Sequence, residues 1–108
     1  MKTKVMIVFS SAGSRDEAER IAKLLIEERL AGCVQYMPVS SIYKWKGKIE
    51  SASEWLMIIK TRARLIKEVI SRIKQLHSYE LPEIVAVDVS NGLPEYLAWV
   101  ISETEQKV

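Results

Sequence analysis

The chain has 108 residues, 48% hydrophobic and 28% charged, with 16 Lys and Arg against 14 Asp and Glu. That length fits one domain, 1–108, with a single modest core, and the apolar content excludes disorder. Near-balanced, alternating charge leaves no electrostatic footprint for nucleic acid or a membrane surface, and no apolar run approaches the ~20 residues that span a bilayer.

Val5 to Phe9 is a continuous apolar run, as a strand covered on both faces requires. Its five residues fall short of the ~7–15 of a signal-peptide core. A buried first strand in a soluble, cytoplasmic protein is the expectation. Ser14 and Glu17 make a Ser-x-x-Glu capping box, opening a helix expected over about Arg15 to Leu30. Ala18, Ile21, Ala22, Leu25 and Leu30 form its apolar stripe, and Gly32 is the expected left-handed stop.

Cys33 to Met37 reads as a short strand that Pro38 ends or bends. Ile42 to Lys46 alternates, with Tyr43 and Trp45 on one face and Lys44 and Lys46 on the other. Lys46-Gly47-Lys48 supplies a turn, and the return strand is clearest from Trp55 to Lys60. Thr61 is the expected N-cap of a second helix, about Arg62 to Leu76. The loop His77 to Pro82 leads to a strand over Ile84 to Val89. Pro94 sits where a third helix begins, and Tyr96 to Ile101 is helical.

The order β-α-β-β-α-β-α predicts an α+β, ferredoxin-like βαββαβ sandwich with an extra C-terminal helix. Its sheet is four-stranded and antiparallel, with helices on one face and a long hairpin. This fold hosts many activities, so function must come from particular residues.

RNA-recognition domains share the topology but need a basic-Gly-aromatic signature on the third strand, and Trp55 to Lys60 has none. Ser10 to Arg15 holds one glycine and no phosphate-binding motif. Its helix N-terminus can attract an anion, or it is an ordinary capped loop. His77 is the only histidine and neighbours Tyr79 and Glu80. It is either a packed loop residue or part of a His-Glu pair for acid-base work or a divalent metal.

Two such ligands make a weak site, because a tight one needs three or four. The single cysteine, Cys33, excludes an intrachain disulfide and a Cys-Cys-His-His zinc pattern. By itself it reads as a small buried hydrophobe or a soft ligand. Tyr36, Tyr43, Trp45 and Trp55 put large rings on a hairpin too long for two short helices to cover. Exposed rings and open strand edges predict cyclic homo-oligomers.

These residues also resemble a known family. Ser41-Ile42-Tyr43-Lys44-Trp45-Lys46-Gly47-Lys48 is similar to the Ser-Ile-Tyr-x-Trp-x-Gly-Lys signature of the CutA divalent-cation tolerance proteins. The likeness continues through Ala31 to Val34, Glu54, Ile59-Lys60-Thr61, His77 to Ile84 and Tyr96-Leu97-x-Trp99. It implies a tight homotrimer joined through the hairpins, a role in tolerance of copper and other divalent ions, and no enzymatic reaction.

The metal residues it implies are His77, Cys33 and Glu80, holding Cu(2+) or another divalent cation without tight binding. The site would lie in an inter-subunit cleft around Tyr43, Trp45, Lys60 and Tyr79. Three positions depart from the family pattern: Ser10 stands near where some relatives carry a copper-binding cysteine, Ser78 replaces a proline, and Gln35 an asparagine. A hydroxyl is a poor ligand for Cu(I). The similar architecture of PII-type signalling proteins gives a second reading, a small anionic metabolite held by Lys60 and the amides near Ser14. A third class is an enzyme using His77 and Glu80 as acid and base.

Overall fold

Five residues of strand rise about 17 Å, whereas fifteen reach about 50 Å, and strand length dominates the shape of this chain. The computed structural model describes residues 4–106. Its elements are β1 (Val5–Ala12), α1 (Arg15–Glu27), β2 (Cys33–Trp45), β3 (Lys48–Arg62), a 3₁₀ turn (Ala63–Leu65), α2 (Ile66–Leu76), β4 (Ile84–Asp88) and α3 (Pro94–Glu103). The sheet order is β2-β3-β1-β4, antiparallel throughout, which is the expected ferredoxin-like α+β arrangement. The β2–β3 hairpin stretches the molecule to 44 Å along its longest axis.

The period-2 alternation of strands sorts the core. Val8 and Ala12 of β1 share a face with Met57 and Ile59 of β3, and there meet Ala18, Ile21 and Leu25 of α1 and Val69 and Ile73 of α2. Cys33 and Lys60 are cross-strand partners on the opposite face. α3 lies on that face, with the Tyr96 phenol close to Cys33. Gly32 allows the approach, because a Cβ there would stand 3.3 Å from Val100 Cα. The helices are therefore divided between the faces, rather than gathered on one.

Several boundaries differ from expectation. β1 continues through Ser10, Ser11 and Ala12, which pair with Met57, Leu56 and Trp55. These small residues fit beneath the loop that returns over them. Pro38 does not end β2, because β2 is an edge strand, where a missing backbone donor is tolerated. α1 stops at Glu27, and Arg29, not Gly32, takes the left-handed conformation at φ 59°. The Leu30 amide bonds the Leu25 carbonyl and the Arg29 amide bonds that of Ile26, a complete Schellman motif. Thr61 ends up within β3, where its hydroxyl donates to the Leu30 carbonyl at 2.7 Å, so α2 begins without a side-chain cap. At the hairpin tip Lys46 (φ 51°) and Gly47 (φ 81°) make the two-residue turn that matches strand twist.

Ser10 is wholly buried, and its hydroxyl has no hydrogen-bond partner among the described residues. Ser10→Ala is expected to stabilise the fold by about 1 kcal/mol, since a buried unpaired hydroxyl carries a desolvation penalty. A raised thermal midpoint is the readout. An unchanged or lowered midpoint would show that the hydroxyl is satisfied.

Candidate functional site

The capping box at the start of α1 does more than start a helix. Ser14 Oγ accepts from the Glu17 amide at 3.1 Å. Glu17 Oε1 in return accepts from the Gly13 amide, also at 3.1 Å, and its Oε2 accepts from the Ser78 amide at 2.7 Å. One carboxylate thus ties the β1–α1 turn to the loop after α2. Burial pushes the Glu17 carboxyl up, but the hydrogen bonds from Ser78 and from the Gly13 amide outweigh it and hold it below the ordinary value of 4.5.

His77 lies behind that tie with its side chain fully buried. Nε2 stands 2.8 Å from the Ser11 carbonyl and must donate to it, while Nδ1 accepts from the Tyr79 amide at 3.1 Å. The ring is fixed in its Nε2–H form, with Tyr79 tilted across it at 4.8 Å between centroids. Both nitrogens are engaged, so binding a metal requires breaking one of these bonds.

The backbone geometry of His77 and Ser78 sends Tyr79 toward the hairpin. Gly13 makes room for it, as a Cβ there would stand 3.2 Å from the phenol oxygen. The phenol donates to Glu54 Oε2 at 2.9 Å. Glu54 is only 8% exposed. Burial, followed by the bond to Glu54, pushes the Tyr79 phenol up to about 12. The neutral phenol is the donor, so this contribution to stability is complete below the ordinary 10.0 and is lost as pH rises through about 12. Ultraviolet titration should show Tyr79 ionising late, and Tyr79→Phe should delete that step. Loss of a step near 10 instead would mean the phenol is not held by Glu54.

Nearby, Ser11 Oγ donates to Glu83 Oε1 at 3.2 Å. These groups line an open cleft of about 1010 Å³ between the hairpin and the His77–Glu83 loop. Its walls include Tyr43, Trp45 and Tyr79, its carboxylates are Glu54, Glu80 and Glu83, and no Lys, Arg or His is among its lining.

Of the residues read from sequence, Tyr43, Trp45, Tyr79 and Glu80 meet at this cleft within one chain. Lys60 and Cys33 do not. They pair across β3 and β2, with the Lys60 ammonium on the Gln35 amide oxygen and Cys33 under Tyr96. His77 backs onto the cleft through Ser11 and Tyr79 without lining it. Among the described residues no group of three or more His, Cys, Asp and Glu is placed to hold a metal ion. One chain's His77, Cys33 and Glu80 therefore do not fit a metal centre.

The anion reading fares no better. Lys60 is outside the cleft, the Gly13 amide is taken by Glu17, and the lining is acidic. The sequence carries Glu54 and Glu83 only as points of family likeness, without a site role, and does not reveal the second role of Glu17. Each acts on a residue 25 to 72 positions away, which no local spacing signals.

Sheet order, the long hairpin and the acidic cleft beside it define a ferredoxin-like α+β sandwich protein with an open site between hairpin and loop. The model of the family described as CutA1 divalent ion tolerance protein matches residues 6–103. The chain belongs to that family. It is 45% identical over 98 residues to the divalent-cation tolerance protein CutA of Archaeoglobus fulgidus, covering 91% of this chain and 96% of that one.

It is 42% identical to protein CutA of Mus musculus over 94% of this chain, but spans only 58% of the mouse protein. Among solved structures, CutA from Xylella fastidiosa superposes with a TM-score of 0.93 at 44% identity, covering 95% of this chain and all of that one. The A. fulgidus structure, described as a periplasmic divalent cation tolerance protein, gives 0.92 at 44% identity over 94% of this chain and 99% of that one.

Proposed function

We propose that this chain acts as a non-enzymatic, homotrimeric divalent-cation tolerance protein that binds divalent metal weakly, copper first, where subunits meet. The observation that carries the reading is the hairpin. β2 is a 13-residue edge strand, and Ile42 of β2 and Ile49 of β3, near the hairpin tip, are each 77% exposed. A long apolar edge left open is an aggregation hazard unless a neighbour covers it, and closed rings of identical chains do so economically.

Membership of a divalent-cation tolerance family supports the metal reading, and the geometry of one chain supports its weakness. Glu80 is exposed at the cleft rim, whereas His77 must first release the Tyr79 amide. Remaining ligands would come from the neighbour, and an imidazole-carboxylate set suits Cu(II). A cytoplasmic location belongs to this same reading, supported by the free thiol of Cys33.

Sedimentation should give three times the chain mass of 12.4 kDa, about 37 kDa. Calorimetric titration with Cu²⁺ should show saturable binding that weakens at least tenfold in Glu80→Gln. A monomer in sedimentation overturns the assembly, and wild-type copper affinity in Glu80→Gln removes the cleft from the metal reading.

A further inference from the structure

Asparagine occurs once in this chain, at Asn91, and the residue after it is Gly92. The pair lies between β4 and α3, outside regular secondary structure, and both residues are exposed. An asparagine carboxamide can reach main-chain groups just after it, and a following glycine leaves its nitrogen open because it has no Cβ. Among the described residues, neither the Asn91 carboxamide nor the Gly92 amide is held by a hydrogen bond. No bond within the fold therefore competes with their approach.

Packing explains why residue 92 is a glycine. A Cβ there would stand 3.1 Å from Leu97 Cδ2 and 3.2 Å from its Cδ1 and Cγ. Gly92 is thus seated against the first turn of α3, where the Leu97 amide bonds the Leu93 carbonyl. A change of main-chain length at residue 91 displaces the glycine from this seat.

We propose that Asn91-Gly92 is a site of spontaneous deamidation, and that isoaspartate formed there loosens the first turn of α3. The Gly92 nitrogen attacks Asn91 Cγ, and a C–N bond forms between them. The bond from Cγ to the carboxamide nitrogen breaks, and that nitrogen leaves as ammonia with the proton of the Gly92 amide. Water then opens the cyclic imide, with no change of oxidation state. Cleavage at Cγ gives aspartate, whereas cleavage at the main-chain carbonyl gives isoaspartate and adds one carbon to the main chain.

Intact protein kept for weeks at physiological temperature and neutral pH should release ammonia and gain about 1 Da per chain. An isoaspartyl methyltransferase should label the product at residue 91. The rate should lie within about tenfold of that in the urea-unfolded chain. Asn91→Gln, an exposed change that leaves the core intact, needs a larger ring and should react at least tenfold more slowly. In the isoaspartate form the Leu97 amide should exchange at least tenfold faster than in fresh protein, with α2 still protected. Asn91→Asp carries the charge without the added carbon and should keep the fresh exchange rate.

No mass gain over that time, or a folded chain far more than tenfold slower than the unfolded one, overturns the proposal. So does an equal gain in Asn91→Gln, which would place the reaction at another residue. Unchanged Leu97 exchange in the isoaspartate form sinks the link to α3, as does equal acceleration in Asn91→Asp.

Discussion

His77→Ala is expected to lower the stability of the fold by about 3 kcal/mol, the order found for emptying a filled interior site and breaking its hydrogen bonds. The imidazole has no exposed side-chain surface, so alanine leaves a ring-sized hole. It also strands two backbone groups, the Ser11 carbonyl and the Tyr79 amide, which the ring bridges at 2.8 and 3.1 Å. Thermal or urea unfolding monitored by circular dichroism measures the loss. The same variant should weaken copper indirectly, because Tyr79 loses the support that aims it at Glu54. A destabilisation below about 1 kcal/mol would show that the ring is not a structural bridge, and would return His77 to the list of available ligands.

The contrast between His77 and Glu80 shows where sequence reading reaches its limit. Both stood in one loop with ligand chemistry, and the local pattern could not separate them. The separation comes from β1. Its strand extends through Ser11 and Ala12, and this puts the Ser11 carbonyl where Nε2 can donate to it. That extension was itself hidden, because Ser-Ser-Ala carries little β propensity and resembles a loop. Pairing with Met57 to Trp55 of β3 overrides the propensity.

Elements carried by local chemistry were legible. The Ser14–Glu17 capping box, the apolar stripes of α1 and α2, Pro94 at the first position of α3 and the Lys46-Gly47 turn all follow from spacing alone. The order of elements then fixed the sandwich. What failed depended on partners distant in sequence. Pro38 remains in a strand because β2 is at the edge, and Thr61 serves Leu30 rather than a helix start. Tyr43, Trp45 and Tyr79, expected around an inter-subunit cleft, line a cleft within their own chain, while Lys60 of the same expectation lies outside it. The clustering of Glu54 with Tyr79 and of Glu83 with Ser11 exists only after the loop has folded back.

Glu17→Ala should have an effect as large as that of His77→Ala, again about 3 kcal/mol, since hydrogen bonds to a charged group are stronger than neutral ones and two are lost. Glu17 takes the Gly13 amide with one oxygen and the Ser78 amide with the other, so its removal frees both sides of the seam between β1 and the loop. The pH dependence follows from the lowered carboxyl. Its stabilising contribution is complete above the ordinary value of 4.5 and is lost as pH falls below that through the lowered value. Wild-type protein should therefore lose more stability on acidification than Glu17→Gln does, the Glu28 carboxyl paired with Arg72 titrating in both.

Glu17→Gln retains the size and one acceptor oxygen, so at neutral pH it should lie between wild type and Glu17→Ala. Hydrogen exchange provides the sharper reading: the Ser78 and Tyr79 amides should exchange faster in Glu17→Ala while the amides of α2 stay protected. Uniform acceleration across α2 as well would mean that the loop and helix open as one unit, and that Glu17 does not clamp the loop independently. If the loop alone loosens, the cleft should lose its cation affinity with it, because Tyr79 reaches Glu54 only while the backbone at Ser78 is held.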